Sequence, residues 1–174
     1  MKRIALAALL LAGASSALAD SQPEGYYTVG YSFVHAKVAD YTANLGAVHA
    51  SLGWQPYRYV GIEATGLVGV SNADIGGGTL KLDTGYLASV LPRLPINDEF
   101  ALYARFGYSH SSLTASGGGL SVSASDHDTV IGGGAEWVVP AGSTWLGGRI
   151  EYARYYNRDG LTIDGVSLSF LQRF

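Results

Sequence analysis

Residues 100–109 read Phe-Ala-Leu-Tyr-Ala-Arg-Phe-Gly-Tyr-Ser, and this stretch shows most clearly the pattern from which the fold can be predicted. Apolar side chains recur at every second position from Phe100 to Tyr108, and most of the positions between them hold small or polar residues. Alternation with a period of two is typical of a β-strand whose two faces meet different surroundings. Strands in soluble sheets average about 5–6 residues, whereas a tilted strand that crosses a membrane needs about 9–11. The stretch therefore predicts a membrane-spanning strand.

The same alternation recurs on both sides of this stretch. The chain holds eight such segments, and the other seven are residues 27–33, 47–54, 60–65, 81–90, 128–139, 145–156 and 162–174. Bacterial outer-membrane barrels use an even number of antiparallel strands. The pattern predicts an all-β fold, an eight-stranded antiparallel up-and-down transmembrane β-barrel. A soluble exported β-sandwich is the alternative fold that the alternation leaves open.

The first 19 residues carry the features of an export signal. Lys2 and Arg3 precede an apolar run over residues 4–12, and Ala17-Leu18-Ala19 fits a signal-peptidase site. The apolar run is too short to cross a hydrocarbon core about 30 Å thick. We expect residues 1–19 to be cleaved and residues 20–174 to form the barrel domain. The 174-residue sequence has no cysteine and a net charge of −3, so neither disulfides nor a basic surface for nucleic acid is expected.

Proline positions separate the predicted connections into two sets. All five prolines precede the first segment or lie between segments 2 and 3, 4 and 5, or 6 and 7. The other set has no proline and includes two glycine-rich stretches, residues 71–79 and 111–125, which we interpret as long loops. Short turns on one side and long loops on the other are typical of outer-membrane barrels, so the short-turn side should face the periplasm.

Aromatic residues mark the same two ends. Trp54, Trp137 and Trp145 lie near the short turns, whereas the opposite ends of the strands carry Tyr108, Tyr152, Tyr155 and Tyr156. Two bands of aromatic rings indicate the two membrane–water interfaces.

The final strand ends in Phe174, with Phe170 four residues before it. This ending resembles the C-terminal β-signal of bacterial outer-membrane proteins, which the barrel-assembly machinery recognises. With the segments at 102–108, 132–137 and 149–156, it makes the chain similar to the OmpA-like, opacity-type family of small outer-membrane barrels within the porin-like group. The resemblance implies a location in the outer membrane of a Gram-negative bacterium, and a family that includes adhesins and resistance factors.

Charged residues in the predicted strands fall on the face opposite to the apolar one. The alternation predicts that His49 and seven charged residues point into the barrel: Glu63, Lys81, Asp83, Arg105, Glu136, Arg149 and Glu151. A charge facing lipid at mid-membrane would cost about 2–4 kcal/mol, and an eight-stranded interior is just wide enough for side chains to fill. We predict a structural plug in which Arg105 and Arg149 pair with the glutamates. A narrow pore for small solutes is the alternative.

Three patterns in the sequence bear on catalysis or ligand binding. His110 and Ser112 are similar to the His-x-Ser pair of outer-membrane lipid A deacylases, although the asparagine expected after that pair is missing. Asp126, His127 and Asp128 cannot converge on one metal from a strand, because neighbouring side chains point to opposite faces. The glycine runs lack the lysine and the helix of a phosphate loop. We therefore predict no catalytic, cofactor or metal site, and a lipid A deacylase-type hydrolase is the least favoured alternative.

Arg154 and Arg158 lie near the predicted outer rim, where an arginine can pair with the phosphates of lipopolysaccharide. The sequence thus predicts a monomeric barrel, in contact with outer-membrane lipid, that supports membrane integrity or adhesion. Its outer loops would meet an extracellular ligand or a host surface.

Overall fold

The computed structural model describes residues 24–38, 41–75, 78–117, 120–158 and 161–174, so the predicted signal peptide at 1–19 lies outside the described residues. The described chain forms nine β-strands: β1 (Glu24–Val38), β2 (Tyr41–Tyr57), β3 (Val60–Gly69), β4 (Asn72–Ile75), β5 (Gly78–Pro95), β6 (Phe100–Gly117), β7 (Leu120–Ala141), β8 (Thr144–Arg158) and β9 (Leu161–Arg173). No helix in this part of the chain has the length and apolar character needed to cross a membrane.

The strands close into one antiparallel barrel. Each strand pairs with its neighbours in the order β3-β2-β1-β9-β8-β7-β6-β5, and β5 pairs again with β3. β3 and β4 are two parts of a single strand position, separated at Val70 and Ser71, and both pair with β5. The barrel therefore has eight strand positions, which confirms the predicted fold class.

Side chains on the two faces of the barrel differ as the alternation requires. Leu52 and Phe33 point outward and are 71% and 58% exposed, whereas Ser51 and Ser32 beside them are buried in the interior. The outer face carries many more exposed apolar residues: Val29, Val48, Ile62, Val68, Val90, Leu94, Leu102, Phe106, Ile131, Val139, Ile150, Val166 and Leu168. Exposing an apolar belt of this extent to water would be energetically unfavourable. Such a belt is typical of a surface in contact with the hydrocarbon core of a membrane.

The two ends of the barrel differ in their connections. We call the end with Glu24 and Phe174 the proximal end, and it also carries the short turns at residues 58–59, 96–99 and 142–143. The opposite, distal end carries an aromatic band on the outer face: Tyr86, Tyr108 and Tyr152. Trp54 and Trp137 form the proximal band, but Trp145 packs against the interior cluster of Tyr26, Val138 and Leu171. The prediction that Trp145 belongs to the aromatic band at the short-turn end was wrong, because the Trp145 side chain points into the barrel, on the same face of β8 as Arg149.

The stretches interpreted as long loops are largely strand. β6 and β7 stay in register from Phe100↔Trp137 to Gly117↔Leu120, so residues 111–117 and 120–125 continue the hairpin. Likewise, β4 and the first residues of β5 occupy most of 71–79. The loop prediction was wrong because Ser, Thr, Ala and Val alternate within these stretches, and each strand satisfies the backbone hydrogen bonds of its partner.

Three strands, β2, β5 and β8, contain a register shift, and the shifts in β5 and β8 reverse the alternation at positions assigned from the sequence. In β5, two residues between Leu82 and Gly85 stand opposite one residue of β6, and in β8 one extra residue lies between Arg154 and Tyr156. An extra residue exchanges the inward and outward positions beyond it. Leu82 is consequently buried in the lumen, and Tyr155 packs inside the barrel rather than in the distal aromatic band.

Candidate functional site

The proximal half of the lumen holds five of the seven charged residues that the sequence placed inside. Glu63, Arg105, Glu136, Arg149 and Glu151 are each at least 95% buried and lie in one continuous network of ion pairs. They come from β3, β6, β7 and β8, because the inward positions of these strands reach the same height in the barrel. We call this network, with the polar residues that contact it, the lumen plug.

Glu63 is the centre of the lumen plug. One carboxylate oxygen, Oε1, accepts a bond of 2.7 Å from Arg105 Nη2, and the other, Oε2, accepts one of 2.6 Å from Arg149 Nη1. The Tyr26 hydroxyl also donates to Oε2, at 3.0 Å, and the Thr65 hydroxyl donates to Oε1, at 3.2 Å. Four donors satisfy this carboxylate, which lets it stay charged away from water.

Arg105 joins Glu63 to a second carboxylate. Its Nε donates to both oxygens of Glu151, at 2.9 and 3.0 Å, and its Nη1 donates to the Ser89 hydroxyl at 2.6 Å. The Tyr103 hydroxyl donates to Glu151 Oε2 at 2.6 Å. Arg105 therefore uses all three of its nitrogens in hydrogen bonds to strands on opposite sides of the barrel.

Arg149 lies between two aromatic rings. Its guanidinium carbon is 5.2 Å from the centre of the Tyr26 ring and 4.9 Å from that of Tyr103. Its Nη2 donates to Glu136 Oε2 at 3.0 Å, but its buried Nε has no hydrogen-bond partner. The π-faces of the two tyrosines provide the cation with an attraction that partly offsets this missing bond.

Gly53 makes room for the Tyr26 ring. A β-carbon at position 53 would lie 2.0 Å from a carbon of that ring, far inside van der Waals contact. The absence of a side chain on β2 therefore allows the ring to lie flat beneath Arg149.

Two further arginines belong to the lumen plug, and neither was predicted from the sequence. Arg93 and Arg173 each pair with Glu136, and Arg93 also donates to the side chain of Gln55. The alternation of inward and outward positions would have placed both residues in the interior. Arg93 is two residues from the inward Leu91, and Arg173 lies beside the outward Phe174.

Two small cavities lie within the lumen, and a larger one of about 400 Å³ opens at the proximal mouth beside Gln55, Arg93 and Arg173. One cavity of about 30 Å³ lies above the ion pairs, lined by residues such as His49, Ser51 and Glu151. His49 there contacts the hydroxyls of Ser32 and Ser169, at 3.0 and 2.9 Å. A second cavity, of about 40 Å³, lies further toward the distal end. Each of these two inner cavities holds at most a few water molecules, and neither forms a continuous aqueous passage.

The distal half of the lumen is apolar, which the sequence analysis did not predict. Its core consists of Val34, Ala36, Ala43, Leu45, Ala47, Leu82 and Ile163, with Leu67, Leu80 and Tyr155 packed against it. The ion pairs of the lumen plug therefore lie in the proximal half, while Ser109 and Asp128 add buried polar side chains beside the apolar layer.

Lys81 and Asp83 lie outside the lumen plug, so their predicted place in the interior was wrong. The bulge in β5 puts them on the outer face near the distal end, where their side chains are 52% and 33% exposed. Lys81 Nζ is 3.5 Å from Asp83 Oδ1, and the Thr114 hydroxyl donates to Asp83 Oδ2 at 2.6 Å.

The residues predicted to contact lipopolysaccharide and the assembly machinery lie on the outer face. Arg154 is near the distal end, 3.8 Å from Asp164 Oδ2, and its side chain is 48% exposed. The side chain of Arg158 lies outside the described part of the structure. Phe170 and Phe174 both point outward, and Phe174 continues the backbone pairing of β9 with β1 through Gly25.

The His110–Ser112 pair lies on the outer face of β6. The His110 ring contacts the rings of Tyr86 and His127, and His127 faces outward whereas its neighbour Asp128 is buried. Within the described residues, no group of three or more histidine, aspartate or glutamate side chains is arranged to hold a metal ion.

Comparisons with known proteins agree with this architecture. The family model described as "Outer membrane protein beta-barrel domain" matches residues 4–174. The structure of Ail, the attachment invasion locus protein of Yersinia pestis, is 18% identical, covers 88% of this chain and 100% of Ail, and has a TM-score of 0.67.

Two other solved structures are similar in fold. Neisserial surface protein A is 12% identical, with 88% of this chain and 98% of that chain covered and a TM-score of 0.65. The N-terminal β-barrel domain of OprF from Pseudomonas aeruginosa is also 12% identical, with coverages of 84% and 97% and a TM-score of 0.53. No curated protein matches the sequence. Identities this low establish the fold alone.

Removing the charge of Glu63 should destabilise the barrel. Glu63→Gln leaves Arg105 and Arg149 without their shared carboxylate, and we expect the free energy of unfolding to fall by about 3 kcal/mol. The matched control is Asp98→Asn, since Asp98 pairs with Arg58 at 3.7 Å on the exposed proximal surface. That change should cost less than ~1 kcal/mol. Urea unfolding in lipid vesicles measures both, and equal losses would contradict a central role for Glu63.

Proposed function

Because the chain belongs to the outer membrane protein β-barrel domain family, we propose that it is a closed, non-conducting barrel of the bacterial outer membrane that acts through its outer surface. The role is structural or adhesive: it supports membrane integrity and presents the distal hairpins to a partner outside the cell. The observation that carries this proposal is the hairpin of β6 and β7, which continues for seven residue pairs beyond the outward Tyr108–His110 region, from Ser111↔Asp126 to Gly117↔Leu120.

The lumen plug supports the non-conducting part of the proposal. Ion pairs fill the proximal half and an apolar core fills the distal half, so a solute would have to displace both layers. Opening the proximal layer would separate buried opposite charges, which costs several kcal/mol for each pair. A pore for small solutes is therefore the less favoured alternative.

The distal end supports an adhesive role. A paired hairpin presents backbone and side chains in a fixed arrangement, which lowers the entropy lost when a partner binds. Ail, which has a similar fold, has been crystallised with the heparin analogue sucrose octasulfate. In the present chain, Lys81 and Arg154 each lie beside an aspartate, so the described distal surface suits a partner of mixed or low charge better than a polysulfate.

Two contacts with the membrane and its machinery complete the proposal. Arg154, outward and near the distal aromatic band, would pair with lipopolysaccharide phosphate in exchange for its long contact with Asp164. Phe170 and Phe174, both on the outer face of β9, would form the aromatic part of the signal that the barrel-assembly machinery binds.

We expect the pure protein to show no sustained openings in planar bilayers. The double variant Arg105→Ala with Glu151→Ala removes both partners of one ion pair and should produce small openings, which shows that the assay can detect them. Large, sustained openings of the unaltered protein would contradict the plug and favour the pore.

Shortening the β6–β7 hairpin should abolish adhesion without preventing folding. Replacing residues 112–125 by Asn-Gly joins Ser111 to Asp126, which are register partners, through a turn that suits a two-residue hairpin. Bacteria that display this variant should bind cultured epithelial cells no better than bacteria without the protein. As a control, replacing residues 37–42 by Asn-Gly shortens the β1–β2 hairpin between partners Ala36 and Ala43.

That control should retain adhesion, and heat-dependent gel mobility should show that both variants fold. Equal adhesion by the unaltered protein and the β6–β7 variant would contradict the proposed surface.

Arg154→Ala should destabilise the barrel only where lipopolysaccharide is present. We expect a loss of about 1 kcal/mol in lipopolysaccharide-containing vesicles and a smaller one in plain phospholipid. Arg58→Ala, at the proximal end, is the control and should not distinguish the two lipids. If Arg154→Ala has the same effect in both, the proposed phosphate contact is wrong.

A further inference from the structure

Two of the four histidines in the sequence meet on the outer face of the barrel. His110 on β6 and His127 on β7 are direct register partners, and their rings are 4.3 Å apart between centroids. They lie just beyond Tyr108 on the distal side of the apolar belt. His127 is exposed and His110 is half-buried, so water and ions can reach both imidazoles.

The spacing of the two rings matches a shared metal ion. Their Nδ1 atoms are 3.1 Å apart. Two imidazole nitrogens that bind one ion at about 2.0–2.1 Å stand about 2.9–3.4 Å apart, for angles between square-planar and tetrahedral. The nitrogens therefore already have the separation that two adjacent ligands require.

Neighbouring tyrosines hold the two rings in place. The Tyr86 ring packs on His110 at 4.8 Å, and the Tyr108 ring stacks on His127 at 5.7 Å with an angle of 12° between the planes. Ligands whose orientation is fixed before binding lose less entropy when the ion arrives.

We propose that His110 and His127 form a two-histidine site for a divalent transition-metal ion such as Zn²⁺. Imidazole nitrogen suits Zn²⁺, Cu²⁺ and Ni²⁺, whereas Mg²⁺ and Ca²⁺ prefer oxygen ligands. Solvent completes the coordination. The bound ion joins β6 to β7 at the base of the distal hairpin and makes that hairpin more rigid. This site does not depend on the adhesive role proposed above.

Zinc titration of the untagged, folded protein in detergent tests the proposal. We expect calorimetry to show saturable binding of one Zn²⁺ per chain, unaffected by excess Mg²⁺. His110→Asn and His127→Asn should each weaken binding by about tenfold or more, because each removes one ligand. His35→Ala is the matched control: His35 is also on the outer face near the distal end, but its ring bonds Asn44 at 2.7 Å. That variant should bind zinc as the unaltered protein does.

A second measurement shows whether the ion joins the two strands. Amide hydrogen exchange in residues 111–125 should slow on adding Zn²⁺ in the unaltered protein and in His35→Ala, but not in His110→Asn. Equal zinc affinity in all four proteins, or no saturable binding by the unaltered protein, would overturn the site. Binding that is lost with His127 alone would also overturn it, and would leave the 3.1 Å contact as a hydrogen bond between the rings.

Discussion

The carboxylate of Glu63, held between Arg105 and Arg149, is the interaction on which the rest of the barrel depends. A buried charge is tolerated only where partners replace its water, and Glu63 has two guanidiniums and two hydroxyls around it. The network that begins there takes side chains from every strand except β4: Tyr26, Gln55, Glu63, Ser89, Arg93, Tyr103, Arg105, Glu136, Arg149, Glu151 and Arg173. The number of strands and their shear set the width of the barrel, and these contacts join strands on opposite sides of it.

Filling the lumen in this way determines which surfaces remain for function. The outer face is apolar and meets lipid, and the proximal turns are short. The distal strands are the part of the molecule that extends beyond the belt, so the proposed interaction with an outside partner would involve them. The distal core of Val34, Leu45, Leu82 and Ile163 supports these strands from within, as the core of a soluble sheet would. The extended hairpin is thus continuous with a packed layer.

Alternation was sufficient to predict the barrel, its outer face and most of the lumen plug. Lipid outside the barrel favours apolar side chains, whereas the narrow proximal interior accommodates polar and charged ones, so the two kinds alternate along each strand. Glu63, Arg105 and Arg149 follow from this rule alone. The rule failed for Lys81, Asp83 and Tyr155, where a bulge adds one residue and exchanges the two faces. In Leu82-Asp83-Thr84-Gly85, a single glycine is the one sign of a bulge, and its position depends on pairing with β6. Residues 111–125 were interpreted as a loop for a related reason: their glycines and serines hide an alternation that becomes stable only against a partner strand.

The His110–His127 pair shows what strand register adds to sequence. Along β7, Asp128 next to His127 is buried on the inward face, and the sequence alone does not place a second ligand beside His127. The register of β6 with β7 supplies one from 17 residues away, on the same face and at 3.1 Å. The same register produces the extended hairpin beyond this pair. The length of the hairpin and the two facing imidazoles therefore follow from one alignment of β6 with β7. Contacts inside the barrel hold both strands in place: Arg105 and Tyr103 on β6 contact Glu151 on β8, and Glu136 on β7 contacts Arg149.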